Sequence, residues 1–418
     1  MSEIINTPKV DSTAVEDPHA AAGEAPSYIQ RRTIGQLLRG DLGFIPVLIT
    51  LIVIMVFFQI ITPHHLFFST GNLTNLFLQT AQIGIVGLGV ILVLLLGEID
   101  LSVAAVSTLC GVVMGVLSER LGLPPWISIP GGLLTGALAG FINGYFTAVL
   151  RIPSFIVTLA ASISYSGLLI TLLQGQASLF IQNSFIANIA GTSTSYFPDS
   201  LGIGLPTASV LIYVLYRILN HRKRASMGLR NPSLPQFLAY LIIPVVLVEG
   251  AVILFESNHG VPYSTGILFG AIALFWILLT KTSWGRHVYA VGGNKEAARR
   301  AGISVVAIQI SAFTLCSTLA AVGGIIEASY SFSATTQVSP FLLLNAIAAA
   351  VIGGVSLFGG KGSVWSIVVG MLIIGSLANG LALLNVTVDR LQIIEGLVLL
   401  VAVTADAIIR RLQARTGR

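Results

Sequence analysis

The sequence predicts an all-α polytopic membrane protein with about 12 membrane-spanning helices. The first observation is composition: 55% of the 418 residues are hydrophobic, only 9% are charged, and the mean hydropathy is +0.90. A soluble domain carries about 25% charged residues, so this chain has too few charges to cover a soluble core. The second observation is that the basic residues lie between long apolar runs, which favours cytoplasmic loops and excludes a nucleic-acid-binding protein.

The first 40 residues differ from the rest of the chain. Residues 1–40 are polar and rich in Ala, Pro and Glu, which predicts a disordered cytoplasmic tail. This stretch lacks a basic segment followed by an apolar core, so it does not resemble a signal peptide. We therefore expect a transmembrane domain over 41–411, followed by a cytoplasmic C-terminal tail over 412–418.

The apolar runs are long enough to cross a bilayer, which takes about 20 residues each. Their order and the short polar segments between them predict the following spans: 43–62, 75–96, 101–118, 124–149, 153–174, 204–219, 236–256, 263–282, 305–330, 340–358, 364–384 and 389–409.

The distribution of Lys and Arg predicts the orientation of these spans. With the N-terminus inside, all Lys and Arg residues except Arg120 and Arg390 fall in cytoplasmic segments or at the cytoplasmic ends of the spans. The opposite orientation would reverse that split, against the tendency of basic residues to stay inside. We therefore expect both termini to be cytoplasmic and the number of spans to be even.

The loop VGGNKEAARRAGIS, residues 291–304, carries a cluster of charges between two apolar spans. Asn294 is placed to cap a short helix and Gly302 to end it, and the residues between them favour helix. Glu296 and Arg300 stand four residues apart, a spacing that favours an ion pair. We expect a short helix on the cytoplasmic face; the residues alone leave open an interfacial helix with no partner.

Several polar side chains fall inside the apolar spans, where they are costly unless they face a neighbouring helix or an aqueous path. Any one amide is explained by bonding between helices, but amides also donate to and accept from sugar hydroxyls. Because carboxylates are few among them, the set favours a path for a neutral polar solute over an ion path. The path candidates are Gln79, Gln82, Asn143, Glu327, Asn345 and Asn379.

Glycines repeat every four residues in GLLTGALAGFING, at Gly132, Gly136, Gly140 and Gly144. They share one helix face and allow another backbone to approach closely. We expect this stripe to serve tight packing.

The segment GEIDLSV, residues 97–103, places two carboxylates between the second and third spans. Asp100 is positioned to cap the third span. A proton relay through Glu98 and Asp100 is the alternative, but a loop at the membrane surface is expected to be hydrated.

The segment GGVSLFGGKGSVW, residues 353–365, superficially resembles a phosphate-binding loop. It lacks the first Gly, where Val355 stands, and the Ser or Thr after Lys361, where Gly362 stands. We therefore expect no ATP bound by this chain and a tight turn at this point. The sequence also has no metal-ligand spacing, and its two cysteines, Cys110 and Cys316, lie in apolar runs.

Four stretches together resemble the permease subunits of bacterial ABC sugar importers, the group that includes the ribose and xylose permeases. The resemblance extends over about residues 43 to 411. The four stretches are 97–115, 290–305, 345–381 and 393–411.

The resemblance implies a division of labour. A separate ATPase subunit inside the cell would hold ATP and Mg²⁺, an extracytoplasmic binding protein would capture the sugar, and this chain, not an enzyme itself, would provide the path through the bacterial inner membrane as a homodimer. It also implies that the charged loop is the coupling helix that docks on the ATPase. In this sequence the coupling residues are Gly292, Gly293, Asn294, Lys295, Glu296, Ala297, Ala298, Arg299, Arg300, Gly302 and Ile303, with Lys295, Arg299 and Arg300 supplying docking charge.

The chain also departs from many of these permeases. They have Gly where Glu98 stands and Asp where Asn345 stands, so a charge-based role for Asn345 is not expected. The resemblance implies a core of about ten spans, and about 50–60 extra residues around 204–262 suffice for two more. This extra length resembles the xylose permeases and implies D-xylose as the monosaccharide.

Two other classes of protein fit the composition. An ion-coupled secondary sugar transporter would need its own ion site, and it commonly has a basic motif where this chain has the acidic GEIDL. A membrane enzyme acting on lipid-linked substrates would need clustered His and Asp or Glu at an interface. The ABC importer subunit is the interpretation that the motifs favour.

Overall fold

The computed structural model confirms an all-α architecture. It describes residues 45–229 and 231–397, with residues 400 and 404. The predicted tails, 1–40 and 412–418, lie outside the described residues, as does most of the second half of the last predicted span.

Each of the twelve predicted spans overlaps a helix within the described residues, the last of them over 389–397. Within the described ranges, nine helices are long and apolar enough to cross a membrane, and two shorter apolar helices accompany them. The helices are α1 (Ile45–Ile61), α2 (Thr70–Leu95), α3 (Val103–Gly115, extended by a π turn over Val116–Arg120), α4 (Pro125–Ala148), α5 (Ser154–Leu172), α6 (Ser184–Ala187), α7 (Asp199–Ser226), α8 (Leu234–Glu256), α9 (Tyr263–Lys281), α10 (Ser283–Gly293), α11 (Lys295–Arg300), α12 (Val305–Tyr330), α13 (Pro340–Ile352), α14 (Ser366–Leu383) and α15 (388–397).

Several helix boundaries differ from the prediction, most clearly those of α13 and α7. Helix α13 ends at Ile352 instead of continuing to 358, because Gly353 and Gly354 begin a turn in which Gly354 has φ +101°. Helix α7 is longer than predicted, because it continues through polar residues to Ser226.

Helix α12 forms the centre of the bundle and packs mainly against α2, α3 and α4. The predicted glycine stripe on α4 faces α12. A Cβ on Gly136 would lie 2.6 Å from the Ser317 carbonyl oxygen, and one on Gly140 would lie 2.3 Å from that of Phe313. The prediction that the stripe serves tight packing is confirmed, since only glycine allows the two backbones to approach this closely.

The Gly140→Ala substitution is expected to destabilise the protein by about 1–3 kcal/mol, because the added methyl group meets a backbone atom that cannot move aside. Gly167→Ala on α5 is the matched control, since a Cβ there meets nothing within 4 Å. It should instead stabilise slightly, by up to about 1 kcal/mol of helix propensity. Thermal unfolding in detergent measures both; equal melting temperatures for the two variants would contradict the packing described here.

The connecting segments gather at two ends of the bundle. At one end, called here the α11 end, the backbone amide of Gly360 donates to the Leu95 carbonyl at 2.8 Å, and that of Leu101 donates to Thr158 Oγ1 at 3.0 Å. At the opposite end, called the hairpin end, Arg120 donates to the Leu172 carbonyl at 2.8 Å. This alternation agrees with the predicted order of loops; that the α11 end is cytoplasmic stays a prediction.

The hairpin end carries a small antiparallel sheet that the sequence does not predict. Strands β1 (Ser178–Phe180) and β2 (Ser333–Thr335) pair with Leu179 opposite Ala334. They join the segment after α5 to the segment after α12, so they close the bundle between two loops distant in sequence.

The extra residues around 204–262 form the helix pair α7 and α8, as the length predicts. The two helices pack on each other: the Tyr213 hydroxyl donates to the Tyr240 carbonyl at 2.9 Å, and the Arg217 guanidinium lies 4.6 Å from the Tyr240 ring centroid. Helix α8 contacts α2 at the edge of the bundle, so this pair is an addition to the central helices.

Candidate functional site

A cavity of about 250 Å³ with both polar and apolar lining lies among α2, α3, α12 and α13, next to β2 at the hairpin end. Helix α2 contributes Gln82, α12 contributes Glu327 and α13 contributes Asn345. The other polar side chains that line it are Ser107, Thr108, Ser333, Thr335, Gln337 and Ser339.

Close contact between α3 and α12 shapes one wall of this cavity. A Cβ on Gly324 would lie 1.8 Å from the Ser107 carbonyl oxygen, and one on Gly111 would lie 2.8 Å from the Gly324 carbonyl oxygen. The two helices therefore touch along their backbones, which brings the start of α3 and Glu327 to the same space.

The cavity lining combines polar and apolar groups and is nearly neutral. Among the residues that line it, Glu327 is the one carboxylate, and none is Lys, Arg or His. Amides and hydroxyls both donate and accept hydrogen bonds, as sugar hydroxyls do. The volume is below the roughly 300–1,000 Å³ typical of pockets for drug-sized ligands, so the cavity suits a small polar molecule.

Three of the six path candidates, Gln82, Glu327 and Asn345, meet at this cavity. Asn143 does not line it: it is fully buried and its Nδ2 donates to Ser102 Oγ at 2.8 Å. Asn379 bonds between helices instead, since its Oδ1 accepts from Asn72 Nδ2 at 2.9 Å.

Gln79 also lies outside this cavity. Its side chain is exposed on α2, three residues before Gln82. Because residues three apart on a helix differ in direction by about 60°, α2 presents only one of these two amides to the cavity lining.

The presence of an uncharged amide at position 345 is explained by its hydrogen-bond partner, Glu395. Asn345 Nδ2 donates to Glu395 Oε2 at 3.4 Å, and Glu395 is only 6% exposed. A carboxylate at position 345 would face this buried carboxylate, and two like charges at that distance disfavour each other. The uncharged residue at 345 therefore suits this chain.

The predicted short helix in the charged loop is confirmed as α11. Asn294 Oδ1 accepts from the Ala297 amide at 3.0 Å and caps its start, and Gly302, with φ +82°, follows its end. The predicted pair of Glu296 and Arg300 is wrong: Glu296 Oε1 accepts from Arg299 Nη1 at 2.6 Å, since the side chain three residues on is also its neighbour.

Lys295 has a partner within the chain that the sequence does not predict. Its Nζ forms an ion pair with Glu98, in the segment between α2 and α3, and its side chain is 41% exposed. That Lys295 supplies docking charge stays a prediction. Glu296, Arg299 and Arg300 remain exposed on α11.

The residues on either side of α11 anchor it to the bundle. Gly292, in the last turn of α10, lies so close to α2 that a Cβ would be 1.8 Å from the Leu95 carbonyl oxygen, whereas a Cβ on Gly293 would meet nothing within 4 Å. Ala298 is buried and Ile303 is partly buried behind α11. The Tyr289 hydroxyl donates to the Gly362 carbonyl at 2.9 Å, which ties α10 to the predicted turn at 353–365.

Asp100 is buried, which corrects the expectation that its loop is hydrated. The residue is 4% exposed, and its Oδ1 accepts from the amide of Ser102 at 2.9 Å and from the hydroxyl of Ser102 at 2.6 Å. It does not cap α3 as predicted, since the residue before that helix is Ser102 and no side chain bonds the first turn. Burial raises the pKa of Asp100, and the bonds from Ser102 partly oppose this.

The raised pKa of Asp100 predicts how stability changes with pH. A carboxyl that binds its proton more tightly in the folded state stabilises the fold at low pH, and this contribution is lost as pH rises through the folded-state pKa. The melting temperature of the wild type is therefore expected to fall relative to that of Asp100→Asn as the pH rises above 3.8, the ordinary pKa of an Asp side chain; the variant keeps Oδ1 and carries no charge. Parallel melting curves across that range would contradict this prediction.

Sequence reasoning missed several residues of the site. Ser107, Thr108, Gln337 and Ser339 carry no motif, and small hydroxyl residues are common in apolar helices. The one indication of their role in the sequence is their position: two lie near the start of α3 and two just before α13, and these helices both line the cavity. Within the described ranges no group of three or more His, Cys, Asp or Glu side chains is placed to hold a metal ion.

Known permeases are similar to this chain over most of its length. The family described as "Branched-chain amino acid transport system / permease component" matches residues 72–403. The chain belongs to this permease family. The permease is 35% identical to the xylose transport system permease protein of Haemophilus influenzae over 86% of this chain and 94% of that one.

Further relatives agree. The permease is 34% identical to the xylose transport system permease protein of Escherichia coli K12, over 86% of this chain and 91% of the relative. It is 31% identical to the fructose import permease protein of Rhizobium meliloti, over 88% and 86% of the two chains. No solved structure matches the chain. The permease is thus a multi-pass inner-membrane protein of a family of sugar-import permeases, which are transport components and not catalysts.

Proposed function

We propose that the permease is the membrane-spanning subunit of an ATP-driven importer that carries D-xylose across the cytoplasmic membrane. The observation that carries this proposal is the small, nearly neutral cavity in which Gln82, Glu327 and Asn345 meet, in a chain of this family. The names of the two xylose permeases support D-xylose among the monosaccharides.

The cavity favours a sugar over a branched-chain amino acid, the solute in the family description. An amino acid carries both a carboxylate and an ammonium group, and buried charges need partners of opposite sign. The lining offers Glu327 to an ammonium group but no basic side chain to a carboxylate. A pentose needs only donors and acceptors of hydrogen bonds, which the amides and hydroxyls supply.

The proposal assigns the remaining tasks to partners. A separate ATPase holds ATP and Mg²⁺ and docks on the exposed side of α11, where Glu296, Arg299 and Arg300 offer charge to a complementary surface. An extracytoplasmic binding protein delivers the sugar at the hairpin end, beside the cavity. Two copies of the permease form the importer.

An ion-coupled secondary transporter is the second candidate, and Glu327 favours it. A lone carboxylate in a cavity within the membrane is a potential proton site. The cavity is compatible with transport driven by ATP hydrolysis or by an ion gradient. Membership of this permease family and the short helix α11 support the ATP-driven importer.

Uptake by proteoliposomes tests the proposal. The permease, its ATPase and the binding protein are reconstituted together, and entry of labelled D-xylose is followed with ATP or a non-hydrolysable analogue on the ATPase side. We expect uptake that requires ATP hydrolysis, resists collapse of ion gradients and is competed by unlabelled D-xylose but not by leucine. Uptake that persists without ATP and stops when the ion gradients collapse would replace the proposal with the secondary transporter.

A further inference from the structure

Glu98 holds together three parts of the permease at the α11 end. Its Oε1 accepts hydrogen bonds from Lys295 Nζ, at the start of α11, and from Gln309 Nε2 at 2.8 Å, near the start of α12. The Glu98 side chain is only 12% exposed and Gln309 is buried. One carboxylate, in the segment that leaves α2, therefore binds the segments on both sides of the loop 301–304.

The two helices joined at Glu98 are those that bring Gln82 and Glu327 to the cavity. Along α2, Gln82 lies about 20 Å from Leu95, the residue at its end, and along α12, Glu327 lies about 27 Å from Gln309, at a rise of roughly 1.5 Å per residue. Both helices are continuous over these distances. A displacement at their ends therefore reaches the cavity as a displacement of rigid rods.

The backbone around Glu98 is already held by other contacts. The Gly360 amide donates to the Leu95 carbonyl, and Gly292 and Gly359 pack directly on the chain at Leu95 and Gly97. Because these contacts hold the backbone, the turn does not depend on the Glu98 side chain for its shape. The charge of Glu98 adds the ion pair to α11, an element with exposed charged side chains.

We propose that Glu98 is a positioning residue that couples the movement of α11 to the two cavity helices through its ion pair with Lys295. The inference rests on the proposed ATP-driven function and goes beyond it by naming the link. The Glu98 carboxylate is largely shielded from solvent while the Lys295 side chain is 41% exposed, so their attraction is screened less than that between two fully exposed groups. The pair therefore keeps α11, α2 and α12 moving as one unit.

The test compares variants in the reconstituted importer by two readouts, ATP hydrolysis and D-xylose moved per ATP. Glu98→Gln keeps the acceptor for Gln309 and removes the charge that faces Lys295, and Lys295→Met removes the other partner. Glu119→Gln is the matched control: Glu119 also accepts hydrogen bonds, from Ser118 Oγ and the Asn183 amide, but at the hairpin end. The double variant Glu98→Lys with Lys295→Glu restores the pair with its charges exchanged.

We expect Glu98→Gln and Lys295→Met to lower the D-xylose moved per ATP by about threefold to tenfold, with ATP hydrolysis retained. Glu119→Gln should move as much D-xylose per ATP as the wild type. The double variant with exchanged charges should recover most of the wild-type amount of D-xylose moved per ATP. A purely structural role predicts instead that transport and hydrolysis fall together and that the exchange does not rescue them. An unchanged ratio in both single variants would overturn the coupling role, whereas a wild-type importer that moves no D-xylose with ATP would overturn the proposed function itself.

Discussion

Deletion of residues 294–301 is expected to abolish D-xylose uptake while the permease still inserts into the membrane. Helix α11 lies at one end of the bundle, its polar face is exposed, and its removal leaves the long apolar helices intact. Insertion depends on those helices, whereas force from the ATPase must enter through a rigid element at the surface. Membrane fractionation and uptake assays in the same cells measure both properties.

A single charge reversal refines this prediction. Glu296→Lys is expected to lower uptake about tenfold or more, because it places a positive charge beside Arg299 and Arg300 on the proposed docking face. Asp199→Lys is the matched control, an equal reversal at an exposed residue in the first turn of α7 at the hairpin end. Normal uptake by a well-inserted deletion variant would remove α11 from the coupling role.

The second large effect is expected at the cavity. Gln82→Leu and Glu327→Leu should each lower the maximal rate of D-xylose uptake by about tenfold or more, because each leaves sugar hydroxyls without a hydrogen-bond partner in the cavity. The effect should appear in the maximal rate, since the binding protein and not the cavity captures the sugar at low concentration. Proteoliposomes with saturating binding protein measure this rate.

Gln79→Leu is the matched control for the cavity variants. It makes the same change on the same helix, three residues away, at a side chain that does not line the cavity. Uptake near that of the wild type is expected. Equal losses in Gln79→Leu and Gln82→Leu would show that the structure has not identified the path, and unchanged uptake in both cavity variants would contradict the site.

The sequence predicts the helices well because membrane insertion imposes a strong and local constraint. An apolar run of sufficient length has to be helical in lipid, so composition alone located α2, α8 and α12. The glycine stripe on α4 and the capped helix α11 were also predictable, because their signals lie within a few neighbouring residues. The resemblance to sugar permeases added the function that composition could not supply.

The site was only partly predictable because it depends on which helix faces meet. These helices are apolar on all sides, so periodicity does not distinguish Gln82, which lines the cavity, from Gln79, which does not. The pairing of Glu98 with Lys295 joins residues 197 positions apart, and no local pattern indicates it. Strands β1 and β2 are three residues each, too short to leave a recognisable alternation.

ATP hydrolysis by the complex purified through the tagged permease tests the central claim most directly. The permease is extracted gently from membranes of its own host grown on D-xylose, and hydrolysis is assayed with and without sugar-loaded binding protein. The account predicts that an ATPase copurifies, that loaded binding protein stimulates it, and that deletion of residues 294–301 removes it. A permease that brings no ATPase, yet alone takes up D-xylose down an ion gradient in liposomes, would contradict the account.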